Sequence, residues 1–262
     1  IGLAIISVII LGAIFADIIV PYDYGIKQVI PDRLQGPSLK HLFGTDDLGR
    51  DLFSRVIHGS RSSLVLGILT TAVATLIGGF LGGICAYYGN RVDNIIMRLL
   101  DVITSIPSTL LSLSIVAALG PGIRNLVIAI TVSRVPTFAR VIRSAVLNIV
   151  NQEYIEAAKA GGTRNLRIML RHVYPNAMSP IIVQCTMSIS QLILQAAGLS
   201  FLGMGMQPPA PEWGALLNSA RDFMRTAPHL MLFPGIAIVL AALAFNLVGD
   251  GLRDAFDPRL KS

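Results

Sequence analysis

Asp101, Ser105, Ser108 and Ser112 follow one another at steps of four, three and four residues, and Gln184, Ser188, Gln191 and Gln195 repeat those steps further along the chain. On an α-helix this spacing puts each set along one face. Hydroxyls, amides and a carboxylate arranged in this way can exchange hydrogen bonds with one another, with water or with a polar solute. Both sets sit in strongly apolar surroundings, where a polar face turned to lipid is costly, so each must turn toward protein or a water-filled path. Two readings stay open: the side chains tie neighbouring helices together, or they line a passage. Recurrence of the pattern on two segments favours the passage. Arg98 extends the first stripe by one turn and is one turn from a possible partner in Asp101. Pro107, inside the stripe, removes a backbone donor and predicts a kink.

Arrangements suited to covalent chemistry are missing. His41, His58, His172 and His229 are scattered, with neither metal-ligand spacing nor acidic company in sequence, so no metal or catalytic residue is assigned. None of Lys27, Lys40, Lys159 and Lys261 carries the glycine spacing of a phosphate-binding loop. Energy for any transport must therefore come from an ion gradient or from a partner. Cys85 and Cys185 both fall in apolar segments and read as small hydrophobes, with no disulfide between them.

The elements that would position these residues are set by composition. The 262 residues are 53% hydrophobic and only 14% charged, against about a quarter charged in soluble domains. Crossing a hydrocarbon layer of roughly 30 Å takes about 20 apolar residues as helix. Six segments are candidates, at about 1–20, 62–86, 98–119, 122–147, 177–203 and 230–249. The expectation is an all-α polytopic membrane protein with six transmembrane helices, forming a single domain over 1–262. Arg134, Pro136, Arg140 and Arg143 interrupt the fourth segment, whose end is expected to project into water.

Gly67, Thr71, Thr75, Gly79 and Gly83, with Gly78 and Gly82 beside them, put small residues on one side of the second segment, a face for close helix packing. The net charge of +6 is dispersed between apolar runs, which argues against nucleic acid. Basic residues give a weak bias toward both termini lying inside the cell. Segments 21–61 and 204–229 then lie outside, and 148–176 lies inside. Ile1 opens directly on an apolar run without an initiator Met, read as truncation of a cytoplasmic tail and not as a signal peptide.

The inner insertion holds residues 153–162, EYIEAAKAGG, an Ala-rich helix closed by a glycine pair. After it, Leu166, Met169, Leu170 and Val173 form an apolar stripe and Arg164, Arg167 and Arg171 another face, predicting a short basic amphipathic helix at the membrane surface. In the outer loop Pro208, Pro209 and Pro211 stiffen the chain before Glu212 and Trp213. An ordered outer surface is expected there, with an interfacial anchor as the other reading of Trp213.

Glu156-Ala157-Ala158, then Gly162, then Pro175, resembles the EAA loop of permease subunits of binding-protein-dependent ABC importers. Residues 43–55 (FGTDDLGRDLFSR), 201–214 (FLGMGMQPPAPEWG) and 245–258 (FNLVGDGLRDAFDP) resemble the C-type permeases of dipeptide, oligopeptide and nickel importers, most closely those for dipeptides. His172 and Tyr174 depart from the loop pattern, which usually has Ile and Leu there.

The resemblance implies a type I ABC importer permease fold in a bacterial inner membrane, with half of a translocation path in this chain. It also implies a second, B-type permease, two cytoplasmic ATPases holding ATP and Mg, an extracytoplasmic solute-binding protein and a peptide substrate. Glu153, Glu156, Ala157, Ala158, Gly161 and Gly162 would then form the coupling helix against an ATPase. Pro208, Pro209, Glu212 and Trp213 would face the binding protein. Import of nickel chelates or glutathione is the alternative, and a secondary transporter a more distant one, in which the EAA insertion has no role.

Overall fold

A computed structural model describes residues 1–256; Asp257 and Pro258 of the motif at 245–258, and Lys261, lie outside the described residues. Among the described residues nine helices carry the architecture. They are α1 (Gly2–Ile14), α2 (Leu52–Tyr88), α3 (Asn90–Thr104), α4 (Ser108–Leu119), α5 (Ile123–Val150), α6 (Glu153–Ala160), α7 (Asn165–Phe201), α8 (Trp213–Ala220) and α9 (His229–Phe256). Shorter helical turns, including Ala16–Ile19 and Tyr22–Ile26, join α1 to α2.

The described residues do not confirm the count of six spans. Among the described residues α2, α5, α7 and α9 are each long and apolar enough to cross a membrane, and α3 with α4 makes a fifth candidate only if the pair is one bent span. The α3 and α4 axes differ by 80° across the break at Ser105, Ile106 and Pro107. Pro107 cannot donate to the preceding turn, so the kink expected from the sequence is a complete interruption. α1 is a shorter apolar helix of 13 residues.

α2 is the central post, and its small residues explain why two helices approach it so closely. A Cβ on Gly82 would lie 2.2 Å from the Ala139 carbonyl oxygen, and one on Gly78 2.7 Å from Phe138 Cβ, so these glycines admit α5. The four-residue row beside them serves α7. Gly67 meets Ile193, Thr75 Oγ1 lies 3.1 Å from Cys185 Sγ, and the Tyr174 hydroxyl donates to the Gly79 carbonyl at 3.0 Å while filling the space above Gly83. Tyr174, a departure from the EAA pattern, is therefore matched to this glycine face.

At one end of the bundle, residues 21–51 fold over the start of α2. The Asp46 carboxylate accepts from the amides of Leu48 and Arg50 at 2.9 Å each and from Arg50 Nε at 2.6 Å. Asp51 caps α2 by accepting from the Ser54 amide at 2.8 Å and meets His41 Nδ1 at 2.9 Å. Gly49 has φ +73°, and a Cβ there would lie 1.9 Å from the Val29 carbonyl oxygen. The motif at residues 43–55 is thus a set of locks that closes this cap.

The opposite end carries α6. Ala86, Ile142, Val146, Ile149, Ile168, Val173 and Ala177 form one buried apolar cluster with Ile155 of α6. No separate surface helix follows. Residues from Asn165 run into Phe201 as one helix with a π-helical turn at Met169–Val173. Met169 and Val173 are buried, whereas Leu166 and Leu170 are exposed, so the expected apolar stripe is divided between core and surface.

Candidate coupling helix and translocation path

The sequence dictates where α6 ends. Its last turn closes by two bonds, from the Gly162 amide to the Lys159 carbonyl at 3.0 Å and from the Thr163 amide to the Ala158 carbonyl at 3.1 Å. Gly162 sits at φ +74°, a left-handed conformation that glycine adopts freely and other residues resist. Along the helix Ile155 is fully buried and Ala158 half-buried, while Glu153, Tyr154, Glu156, Ala157, Lys159, Ala160, Gly161 and Gly162 are exposed. One apolar side anchors the helix, and an outward side of small residues and two carboxylates remains. Lys159 Nζ lies 5.1 Å from the centroid of the Tyr87 ring, and the Tyr87 hydroxyl donates to Asn165 Oδ1 at 2.9 Å. The helix is therefore strapped to α2 and to the first turn of α7.

The two polar stripes divide. Because α3 ends at Thr104 and α4 begins at Ser108, Asp101, Ser105, Ser108 and Ser112 do not share the face of one helix. Asp101 is exposed and pairs with Arg140 at 2.7 Å, not with Arg98. Ser105 is exposed, with its hydroxyl turned back to the Val102 carbonyl, and Ser108 is half-buried. Ser112 is fully buried. On α7, Gln191 is exposed, Gln184 donates to Ser188 Oγ at 3.1 Å, and Gln195 is buried.

What joins the stripes is a residue assigned above only as an interruption of the fourth segment. Arg134 Nε and Nη2 donate to Gln195 Oε1 at 2.8 and 2.6 Å. Gln195 Nε2 donates to Ser112 Oγ at 3.2 Å, Ser112 Oγ to Ser133 Oγ at 2.9 Å, and Ser133 Oγ to the Ile130 carbonyl at 2.8 Å. No fully buried side-chain polar atom of Gln195, Ser112 or Ser133 is left without a partner. Arg134 lies eleven residues past Ile123 within α5, and an arginine at the centre of a membrane helix costs on the order of 3 kcal/mol. Its polar neighbours on one interrupted apolar segment are the signal by which sequence could have found it. The two arginines of α5 that follow it have acids from α3: Arg140 has Asp101, and Arg143 binds both carboxylate oxygens of Asp93.

The outer loop also divides. Pro208 and Pro209 are exposed, but Glu212 and Trp213 are buried within the chain and present no surface to a binding protein or to lipid headgroups. The Trp213 indole donates to the Val56 carbonyl at 2.9 Å and its amide to Ser63 Oγ at 3.1 Å. Glu212 caps α8, accepting from the amides of Gly214 and Ala215 at 2.8 and 3.0 Å. Burial pushes its carboxyl above the ordinary value of 4.5, partly offset by the Gly214 and Ala215 amides. Tryptophan was expected at a surface because its amphipathic ring favours one; here its donor is spent on α2. No group of three or more His, Cys, Asp or Glu among the described residues could hold a metal ion.

Residues 74–262 match the family described as the binding-protein-dependent transport system inner membrane component, and residues 1–37 match the N-terminal TM domain of oligopeptide transport permease C. The chain belongs to the first of these families: it is a permease component of an ABC importer, a multi-pass protein of the inner membrane. Among its relatives is the dipeptide transport system permease protein DppC of Alkalihalophilus pseudofirmus, 48% identical over 100% of this chain and 86% of that one. The di/tripeptide transport system permease protein DppC of Pseudomonas aeruginosa is 45% identical over 100% and 88%, and the glutathione transport system permease protein GsiD of Escherichia coli is 47% identical over 97% and 84%. The fold is shared with the inward-facing MetNI methionine ABC transporter, at a TM-score of 0.63 and 18% identity over 78% of this chain and 97% of that one.

Proposed function

We propose that this permease conducts dipeptides and short oligopeptides, as one half of a path completed by a B-type permease. Two cytoplasmic ABC ATPases holding ATP and Mg drive it, and an extracytoplasmic solute-binding protein delivers the peptide. The whole of 1–262 acts as one permease domain without a catalytic site of its own. Its α6 end faces the cytoplasm and its cap of residues 21–51 faces outward, with Pro208 and Pro209 on the side of the binding protein. The observation that carries this reading is α6: eight residues, anchored by Ile155, with Glu153, Glu156, Ala157 and Ala160 left outward. Small alanines admit a close groove, and the carboxylates can accept from basic or amide groups at its rim. The polar passage comprises Gln184, Ser188 and Gln191 on α7 with Asp101, Ser105 and Ser108 near the α3–α4 break, backed by Ser112 and Gln195.

The test is reconstitution of the importer in proteoliposomes, with uptake of labelled dipeptide, glutathione and a nickel chelate compared at equal binding-protein load. Peptide uptake that depends on ATP, with the other two solutes excluded, is the expected result. Preferential uptake of glutathione, which the likeness to GsiD makes the specific competitor, would replace the peptide assignment. A nickel-chelate importer would likewise show itself in the third solute.

A further inference from the structure

We infer that Arg134 is a carboxylate-holding point inside the path, engaging the C-terminal carboxylate of a peptide on its way through. The inference rests on the peptide reading above. Four arginines lie on α5, at 124, 134, 140 and 143; Arg124 is exposed in the first turn of the helix, and the other three are not equivalent. Arg140 and Arg143, nearer the α6 end, are each neutralised by an aspartate of α3. Arg134 lies deepest and has no acidic partner among the described residues. It is only half-buried, so part of the guanidinium stays accessible from outside the chain.

Gln195 holds that guanidinium by one edge. Nε and Nη2 both go to Gln195 Oε1, and Gln195 is itself fixed through Ser112 and Ser133. A guanidinium is planar with five donors, so fixing one edge on an amide leaves Nη1 for a second acceptor. An arginine needed only for packing would be neutralised by a nearby acid, as its two neighbours are. Holding it on a neutral amide preserves the full positive charge at membrane depth, where attraction for an anion is strongest. Gln191, one turn from Gln195 on α7 and exposed, offers an amide close by for a peptide group. A peptide carries a carboxylate at its C-terminus, and a planar fork suits that group.

The experiment uses the complete importer in proteoliposomes, comparing wild type, R134Q and R134K by labelled dipeptide taken up per ATP hydrolysed. Copurification of the second permease reports assembly. R134Q is expected to assemble and to lower this ratio at least tenfold, with R134K between it and wild type because the charge is kept and the fork lost. An assembled R134Q with the wild-type ratio overturns the inference, as does an R134K indistinguishable from R134Q, which would reduce the role to packing against Gln195. Failure of R134Q to copurify the second permease also overturns it, making Arg134 a subunit contact. A wild-type complex that hydrolyses ATP but moves no dipeptide refutes the peptide reading itself, however the variants behave.

Discussion

Lys159 holds its ammonium 5.1 Å from the centroid of the Tyr87 ring, joining α6 to the last turn of α2. Tyr87 also donates to Asn165, so one aromatic side chain links α6, the central post and the start of α7. An exposed cation–π contact contributes about 0.5–1 kcal/mol. Y87L, which removes both contacts, should lower dipeptide uptake per ATP by about two- to fivefold by that magnitude. Y87F, which keeps the ring and loses only the Asn165 bond, should stay closer to wild type. Equal losses in the two variants would assign the strap to the hydroxyl.

The approach of α2 and α5 is set by Gly82. G82A would put a methyl group 2.2 Å from the Ala139 carbonyl oxygen, a backbone atom that cannot turn aside. Overpacking of this kind costs about 1–3 kcal/mol, and the thermal midpoint of the purified permease should fall. Gly235 on α9 has nothing within 4 Å of an added Cβ, so G235A should leave the midpoint unchanged. Similar midpoints for the two variants would contradict the packing assigned to α2.

Glu212 predicts a pH dependence. Its buried carboxyl titrates above the ordinary 4.5 when folded, so the folded state binds its proton more tightly than the unfolded state does. The associated stability is fully present below pH 4.5 and is lost as the pH rises through the raised value. In E212Q, which cannot ionise, the fall in thermal midpoint between about pH 4 and 8 should flatten relative to wild type. Parallel curves for the two proteins would show that Glu212 is accommodated as a carboxylate by its caps from Gly214 and Ala215.

Periodicity made the small-residue face of α2 legible, and the Gly161–Gly162 stop of α6 was equally plain, because both are local consequences of side-chain size and backbone freedom. The α3–α4 stripe was not. Its four-three-four spacing assumes an uninterrupted helix, and Pro107 turns a shared face into two separate ones. Buried partners were illegible for another reason. Nothing local ties Arg134 to Gln195, 61 residues away, or Trp213 to Val56, 157 residues away. Such pairings are decided by which helices the α2 glycines admit. The outer loop misled for that reason: the single tryptophan looked like a surface feature until the packing of α8 on α2 supplied its acceptor.

Accessibility along α7 separates path from packing. In single-cysteine variants, Q191C should react with a water-soluble thiol reagent at least about tenfold faster than Q195C or S112C, since Gln191 is exposed and the other two are buried. An L194C variant, also exposed on α7, provides the comparison, and if that face meets lipid it should react slowly because the thiolate is the reactive form and lipid suppresses it. Equal protection of Q191C and L194C would remove Gln191 from the path and leave the hydrogen-bonded relay as interhelical glue.

The central claim is that α6 carries ATPase movement into the bundle. The most direct measurement is dipeptide uptake per ATP hydrolysed in proteoliposomes holding the assembled importer with E156K. This reverses a charge on the outward side of the helix without touching Ile155 or the bonds of Gly162 and Thr163. The account predicts uptake below about one-tenth of wild type, a loss of the size expected when a charge-assisted contact becomes a repulsion. An E156K importer that copurifies with its ATPases and transports at the wild-type rate would contradict it.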